Sequence, residues 1–276
     1  MTADAIAYVE ANGLRFAYLA AGAGPLVLML HGFPDTARTW DDARPAAAAA
    51  GVRAVSPWMR GYAPTGVPAR DADAATLGRD VLALIAALGA ESAIVVGHDW
   101  GALAAYAAAQ LEPARIRRLI TLAIPHPATL RPTPIRTWRA RHFLAYKRRG
   151  AAARFARDDF AGLTAIYRRW SPAWAPAPAE FAAVRAAFAA PGSLDAAFGY
   201  YRALRLWVPA WLRAPIAVPT VAFAGATDPM VSPDDMRRAG RMFTGGYAVE
   251  AMPGGHFMHR EHPAEFAARL RPHLAP

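Results

Sequence analysis

Five consecutive residues, Gly97-His98-Asp99-Trp100-Gly101, have the spacing of a nucleophile held in a tight turn. The apolar run Ala93-Ile94-Val95-Val96 precedes them and an alanine-rich stretch over 102–110 follows, so a buried strand runs into a turn and then a helix. Glycines two positions either side let the central residue take a strained turn that lifts its side chain above the sheet. There the helix N-terminus and its free N–H groups meet a developing anion. The side chain so presented is the carboxylate of Asp99. A carboxylate attacks carbonyls poorly but displaces a strained or good leaving group from saturated carbon, which leaves an alkyl ester on Asp99. Freeing that ester requires water activated by a base, an acid that fixes the base's tautomer, and N–H donors for the tetrahedral oxyanion. Each has a candidate: His256 in Gly254-Gly255-His256, Asp228 in Gly225-Ala226-Thr227-Asp228-Pro229, and the Phe33 N–H in His31-Gly32-Phe33-Pro34, paired with the Trp100 N–H.

These segments must be positioned by the elements around them. Asn12-Gly13 joins two strands over 6–11 and 14–20 in a hairpin, and the wholly apolar run 26–30 reads as a strand buried on both faces, ending at His31. Residues 36–44 have helical spacing, 53–56 form a short strand, and 76–88 form a helix closed by Gly89. A further strand covers 116–122. From Pro127 to about Pro219 the chain is rich in Arg, Trp, Tyr, Phe and Pro, and its helices are expected over 135–149, 151–158, 161–169, 178–189 and 193–206. A strand over 219–225, a helix over 232–243, a strand over 247–252 and a helix over 263–274 complete the pattern. Alternating strands and helices of this kind give an α/β fold with a parallel sheet covered on both faces. Asp228 then leaves the C-terminal end of a strand, where ligand sites of parallel sheets gather, while Asp234 and Asp235 fall in a helix's first turn and read as capping residues. His256, His259 and His262, three apart, creep around a helix axis instead of converging, so no metal site is expected, and His259 and His262 read as surface or helix-start residues.

The turn at Asp99, the His31-Gly32-Phe33-Pro34 segment and the chain order Asp99, Asp228, His256 resemble the α/β-hydrolase family, with Asp99 where many members carry Ser. The resemblance implies the α/β-hydrolase fold: a mostly parallel eight-stranded sheet flanked by helices, with an α-helical cap inserted after strand 6. Residues 1–126 and 215–276 would form the core and 127–214 the cap. Over nearly its whole length the chain is similar to the epoxide hydrolases of that family. Gly199-Tyr200-Tyr201-Arg202-Ala203-Leu204 resembles their "N-Y-Y-R-A-L" segment, whose second Tyr is a ring-opening acid, and this implies that role for Tyr201. The run 142–150 matches "Y-x-x-x-F-Q-x-P-G", which puts His142 at the second lid acid, a departure from the common Tyr/Tyr pair, with Tyr146 as the other donor. Trp58-Met59-Arg60-Gly61-Tyr62 resembles "D-x-R-G-Y/F-G" with Trp58 where Asp is usual. His31, Pro34, Tyr146 and Tyr200 are expected around the substrate pocket.

The activity so implied is that of a hydrolase acting on ether bonds, opening epoxides to vicinal diols through the Asp99 ester, with no cofactor. A haloalkane or haloacid dehalogenase would use the same nucleophile, and Trp100 could donate to a halide. Against it, Phe33 stands where haloalkane dehalogenases carry Asn, and residues 102–106 lack the arginines of fluoroacetate-type enzymes. A third reading makes the basic cap a binding surface for an acidic partner.

Composition bounds these readings. A chain of 276 residues holds one large α/β domain or two small ones. Its 55% hydrophobic content is largely alanine, and no run is long enough for a membrane span. Residues 1–12 carry no secretory pattern and there is no cysteine, so a cytoplasmic enzyme without disulfide or thiolate chemistry is expected. The net charge of +10 gathers at 131–157 and 202–213, but Lys147 is the only lysine and the arginine excess reads as a base-composition bias. No zinc-finger, RNP-like or KH-like segment accompanies it, so a nucleic-acid partner is not expected. The expected partners are a small epoxide and water, with the chain a monomer or homodimer.

Overall fold

In the computed structural model, which describes residues 5–130, 133–205 and 207–275, the Asn12-Gly13 turn starts the sheet. Both residues have positive φ (42° and 75°), and they join β1 (Ala7–Ala11) to β2 (Leu14–Ala21) with Ala11 facing Leu14. The remaining strands are β3 (Leu26–Leu30), β4 (Arg53–Pro57), β5 (Ala93–His98), β6 (Ile116–Leu122), β7 (Thr220–Gly225) and β8 (Tyr247–Met252). They form one eight-stranded sheet in the order β1-β2-β4-β3-β5-β6-β7-β8, parallel from β4 to β8. Only β1 with β2 and β2 with β4 pair antiparallel. The sheet carries the fold expected of an α/β-hydrolase.

Alternation along the strands assigns the two faces. Leu26, Leu28, Leu30, Val55, Val95 and Leu119 point to one side, where α2 (Ala74–Ala87) and α3 (Trp100–Leu111) pack. Val27, Met29, Ala54, Ile94, Val96 and Ile120 point to the other, against α1 (Ala43–Ala48) and the C-terminal helix over Pro263–Leu270. Alanines on α3 let it lie close to α2: a Cβ on Gly78 would come within 2.9 Å of the Ala107 backbone. That close approach seats the helix that begins at Trp100 directly behind Asp99.

Between β6 and β7 the described chain is helical: α4 (Pro134–Arg139), α5 (Arg141–Tyr146), α6 (Ala151–Phe155), α7 (Arg157–Trp170), α8 (Ala182–Ala189) and α9 (Ser193–Ala203). After β7 come α10 (Pro233–Arg238), α11 (Met258–Glu261) and α12 (Pro263–Leu270). Several expected helices are shorter or broken, each for a local reason. The single helix expected over 135–149 divides at Ala140 (φ −83°, ψ 8°), where the Arg139 carbonyl is taken by His142 Nδ1 and by the Arg169 guanidinium. Positive φ at Asp158, Asp159 and Phe160 interrupts α7 near the break expected between 158 and 161. The helix expected over 193–206 ends at Ala203, and Leu206 lies outside the described residues. The last helix gives way at Arg271 to a 3-10 turn containing Pro272, which has no N–H for a helical bond. The stretch expected as a helix over 36–44 is a 3-10 turn, Ala37–Trp40, followed by α1, because Pro45 is tolerated only in a first turn. Among the described residues no helix is long and apolar enough to cross a membrane.

Candidate active site

Asp99 sits where β5 becomes α3, at φ 51° and ψ −115°, backbone angles that only a tightly determined turn imposes on a side-chain-bearing residue. Two glycines make room for it. A Cβ on Gly101 would lie 2.3 Å from the Leu30 carbonyl oxygen, and one on Gly32 would lie 2.3 Å from the Asp99 Cβ. The loop after β3 therefore closes directly over the carboxylate, and the Phe33 N–H donates to Asp99 Oδ1 at 2.8 Å.

The other carboxylate oxygen, Oδ2, lies 3.7 Å from His256 Nε2. His256 follows β8, and its Nδ1 is 3.0 Å from Asp228 Oδ2 in the loop after β7. Asp228 is fixed in turn, since its Oδ1 accepts the Met230 N–H at 2.6 Å and the Val231 N–H at 3.2 Å. Asp234 and Asp235 lie in the first turn of α10, where Asp235 completes a capping box with Ser232. Burial opposes charge on His256, but the charge and hydrogen bond of Asp228, with Asp99 beyond, outweigh it and raise its pKa well above the ordinary 6.5. Burial also opposes charge on Asp99, and there the charge of His256, 3.7 Å away, with the Phe33 N–H, prevails and lowers its pKa. The unliganded site thus holds His256 between two carboxylates, an arrangement that favours its charged form.

Tyr201, on α9, faces this arrangement from the helices between β6 and β7. Its ring lies 4.9 Å from Trp100, 5.0 Å from Tyr146 and 5.6 Å from Phe33. Burial and the nearby Asp99 charge push its phenol pKa up, while a hydrogen bond from the Trp100 side chain acts the other way. His142 and Tyr146, four apart on α5, share one face of that helix. The His142 ring is 5.6 Å from Tyr146, 6.1 Å from Tyr201 and 5.0 Å from Trp170. Its Nδ1–H donates to the Arg139 carbonyl at 3.2 Å, and burial lowers its pKa to about 4, so at neutral pH Nε2 is an acceptor. Tyr146 stacks on Phe198 at 4.4 Å, and burial raises its hydroxyl pKa.

A cavity of about 410 Å³ opens above Asp99 and Trp100. Leu103, Ile124, Phe143, Leu204 and Tyr200 form part of its apolar wall. Tyr200 contributes only its ring there, since its hydroxyl donates to the Arg60 carbonyl at 2.7 Å. His31, Pro34 and Tyr146, expected around the pocket, are not among the residues lining this cavity. The His31 Nδ1–H donates to the Gly32 carbonyl, its Nε2 accepts the Met59 N–H, and burial lowers its pKa to about 4, so it braces the loop from inside. The Pro34 carbonyl accepts the Tyr167 hydroxyl at 3.2 Å. His259, expected as a surface or helix-start residue, is in the first turn of α11 but buried, with Nε2 2.7 Å from Thr39 Oγ1. His262 is half-buried and starts α12.

Several supports of the site escaped sequence reasoning because their partners are distant in the chain. His98 Nε2–H donates to the His256 carbonyl at 3.0 Å, and the His256 N–H donates to the Trp170 carbonyl at 2.9 Å. Glu261 Oε1 accepts both the Gly255 N–H (2.7 Å) and the Ser171 hydroxyl (2.6 Å). Arg260 donates to Asp35 Oδ2 at 3.1 Å and to the Tyr167 hydroxyl at 3.0 Å, which joins the Phe33 loop, the His256 loop and α7. The one available signal was position: Asp35 and Arg260 each lie within four residues of a candidate site residue. Among the described residues, no group of His, Cys, Asp and Glu side chains is placed to hold a metal ion.

An eight-stranded sheet with a carboxylate at the turn after β5, an acid after β7 and a histidine after β8 defines a hydrolase of the α/β class. The sequence profile of the alpha/beta hydrolase fold family matches residues 25–263, and the chain belongs to that family. It is 43% identical over 120 residues to an epoxide hydrolase of Caballeronia sordidicola, an alignment covering 42% of this chain and 36% of that one, so the match spans about a third of that relative's length. Epoxide hydrolase A of Mycobacterium tuberculosis is 28% identical over 95% of this chain and 94% of its own. Among solved structures, epoxide hydrolase A of Mycobacterium thermoresistibile superimposes with a TM-score of 0.78 at 29% identity, over 97% of each chain.

Proposed function

We propose that the chain is an epoxide hydrolase that opens epoxides to vicinal diols through an ester on Asp99, its helices over 127–214 forming a cap on a core of 1–126 and 215–276. The relatives named above support the substrate class. The observation that carries the mechanism is the Asp99 carboxylate itself. One oxygen is engaged by the Phe33 N–H, the other lies 3.7 Å from His256 Nε2, and Asp99 is on the wall of the cavity.

Oδ2 attacks an epoxide carbon while the C–O ring bond breaks, and the alkoxide takes the Tyr201 proton. Oδ1, already on the Phe33 N–H, becomes the ester carbonyl oxygen. Esterification removes the Asp99 charge, which had helped to hold His256 protonated and the Tyr201 phenol above its ordinary pKa. The His256 proton then passes to the Tyr201 phenolate, leaving a neutral imidazole with Asp228 fixing its tautomer. That imidazole takes a proton from water, which adds to the ester carbonyl. The oxyanion rests on the Phe33 and Trp100 N–H groups. Collapse expels the former Oδ2 as the diol's alkoxide, which takes the His256 proton; the new Asp99 acid then gives its proton to His256, so Asp99 returns as carboxylate with one oxygen from water and His256 as imidazolium. His142 with Nδ1–H committed to Arg139 has no proton on Nε2 to give at neutral pH, so Tyr201 carries ring opening and Tyr146 is the second donor within the cluster.

A dehalogenase using the same Asp99 is the second reading, and the contact of Trp100 with Tyr201 weighs against it. The Trp100 indole N–H, the group that would hold a halide, is engaged with Tyr201. The test is the intact mass of His256→Gln protein after exposure to an epoxide panel and, separately, to haloalkanes and haloacids. A mass gain equal to the whole epoxide, absent in Asp99→Asn, is expected. A gain equal to an alkyl group without halogen would establish the dehalogenase reading.

A further inference from the structure

The arginine excess is not spread evenly, as a base-composition bias would spread it. Of the 31 basic and 21 acidic residues, 15 basic and only 4 acidic fall within 127–214, so that segment carries +11 and the rest of the chain −1. Large apolar side chains are exposed on the same segment. Trp207 is 67% exposed, Leu130 41% and Trp211 36%, and all three line the mouth of the cavity that reaches Asp99. Arg205 lines that mouth too, and Arg213, two residues beyond Trp211, is exposed. Tryptophan beside arginine is the composition that settles at a bilayer interface, the ring among the headgroups and the cation on anionic phosphates. A nucleic acid would match the charge but gives no reason for exposed tryptophan and leucine to surround the mouth of an apolar cavity.

We propose that the cavity mouth, with Leu130, Trp207 and Trp211 as its apolar rim and Arg205 and Arg213 beside them, docks on an anionic membrane surface, so that apolar substrates enter from the lipid. The last clause rests on the cavity being the substrate site; the docking itself does not. The rim lies on the surface and does not span the bilayer.

The full-length protein is mixed with vesicles of phosphatidylcholine alone and of phosphatidylcholine with phosphatidylglycerol, and binding is read by co-sedimentation and by the shift of tryptophan emission. Binding to the anionic vesicles, with a blue shift, and at least about tenfold weaker binding to the neutral ones is expected. Arg205→Glu/Arg213→Glu should weaken partitioning by about tenfold or more. Trp207→Phe/Trp211→Phe should remove the blue shift while melting like the parent. These readouts are independent of turnover, so docking without epoxide hydrolysis would refute the enzymatic reading and leave docking standing. Failure to bind anionic vesicles overturns the proposal. So does binding without a blue shift that the paired arginine variant does not weaken, or tighter binding to duplex DNA or RNA than to the vesicles.

Discussion

Asp99 and His256 favour each other's charged form, and in the proposed mechanism consuming one charge changes the other. In the unliganded protein His256 stands between Asp99 and Asp228, whose charges raise its pKa. In the ester only Asp228 remains charged, and the pKa falls. Ester hydrolysis needs the neutral imidazole, so its rate should increase as pH rises through the lowered pKa and then level off. Ester formation should not follow the same curve, and rapid-mixing single turnovers at several pH values separate the two. Tyr201→Phe removes the proposed proton donor and should slow ester formation by about 10²–10⁴-fold. Hydrolysis of ester already formed should change far less, whereas an equal loss in both steps would give Tyr201 a packing role. A single turnover in water labelled with heavy oxygen should release unlabelled diol, because the new oxygen comes from Asp99. Label in that first diol would mean that water attacks the epoxide directly.

At the scale of elements, the site is three loop ends tied together by side chains. Gly32 lets the loop after β3 approach Asp99, and Gly32→Ala would put a Cβ 2.3 Å from the Asp99 Cβ. Arg260 ties that loop to α11 through Asp35, a pair in which the Asp35 side chain is 2% exposed and Arg260 11%. Removing the arginine leaves a buried carboxylate without its cation. Arg260→Met should therefore cost about 3–5 kcal/mol in chemical denaturation. Adding Asp35→Asn should restore part of that loss, and no recovery in the double variant would show that Asp35 is not what the guanidinium stabilises. The break between α4 and α5 has the same origin in side chains from elsewhere. Arg169 and His142 both donate to the Arg139 carbonyl. Helical periodicity over 135–149 carries no sign of it.

At the scale of the whole molecule, the buried histidines set the acid limit. His31 and His98 are fully buried, and burial lowers each to about 4 against an ordinary 6.5. Between those values the unfolded chain binds protons that the folded chain refuses, so stability is lost as pH falls from 6.5 toward 4. The loss should be on the order of 2 kcal/mol per buried histidine by about pH 5, seen as a falling urea midpoint. His256 works in the opposite direction. Its raised folded value contributes stability below 6.5 that is lost as pH climbs through it. His98→Gln retains a donor for the His256 carbonyl and should flatten the acid slope; an unchanged slope would place the proton uptake elsewhere.

The sequence by itself determined the sheet, the turn at Asp99 and the chain order of Asp99, Asp228 and His256. Apolar periodicity, glycine spacing and strand ends are local properties, written within a few residues of one another. The His142 and Tyr201 pair was legible as residue types, but their protonation states were not. Whether His142 can give a proton depends on the Arg139 carbonyl and on burial, and both arise only when α5 packs against its neighbours. The same holds for His31, whose position beside Gly32 suggested a pocket until Met59 closed over it. His259 was legible as a surface or helix-start residue, and it does start α11, but nothing near it in the chain reveals its burial against Thr39. Tertiary structure decided these points because burial, and most of the hydrogen-bond partners, are set by residues tens to hundreds of positions away: Met59 is 28 positions from His31, and Thr39 is 220 from His259.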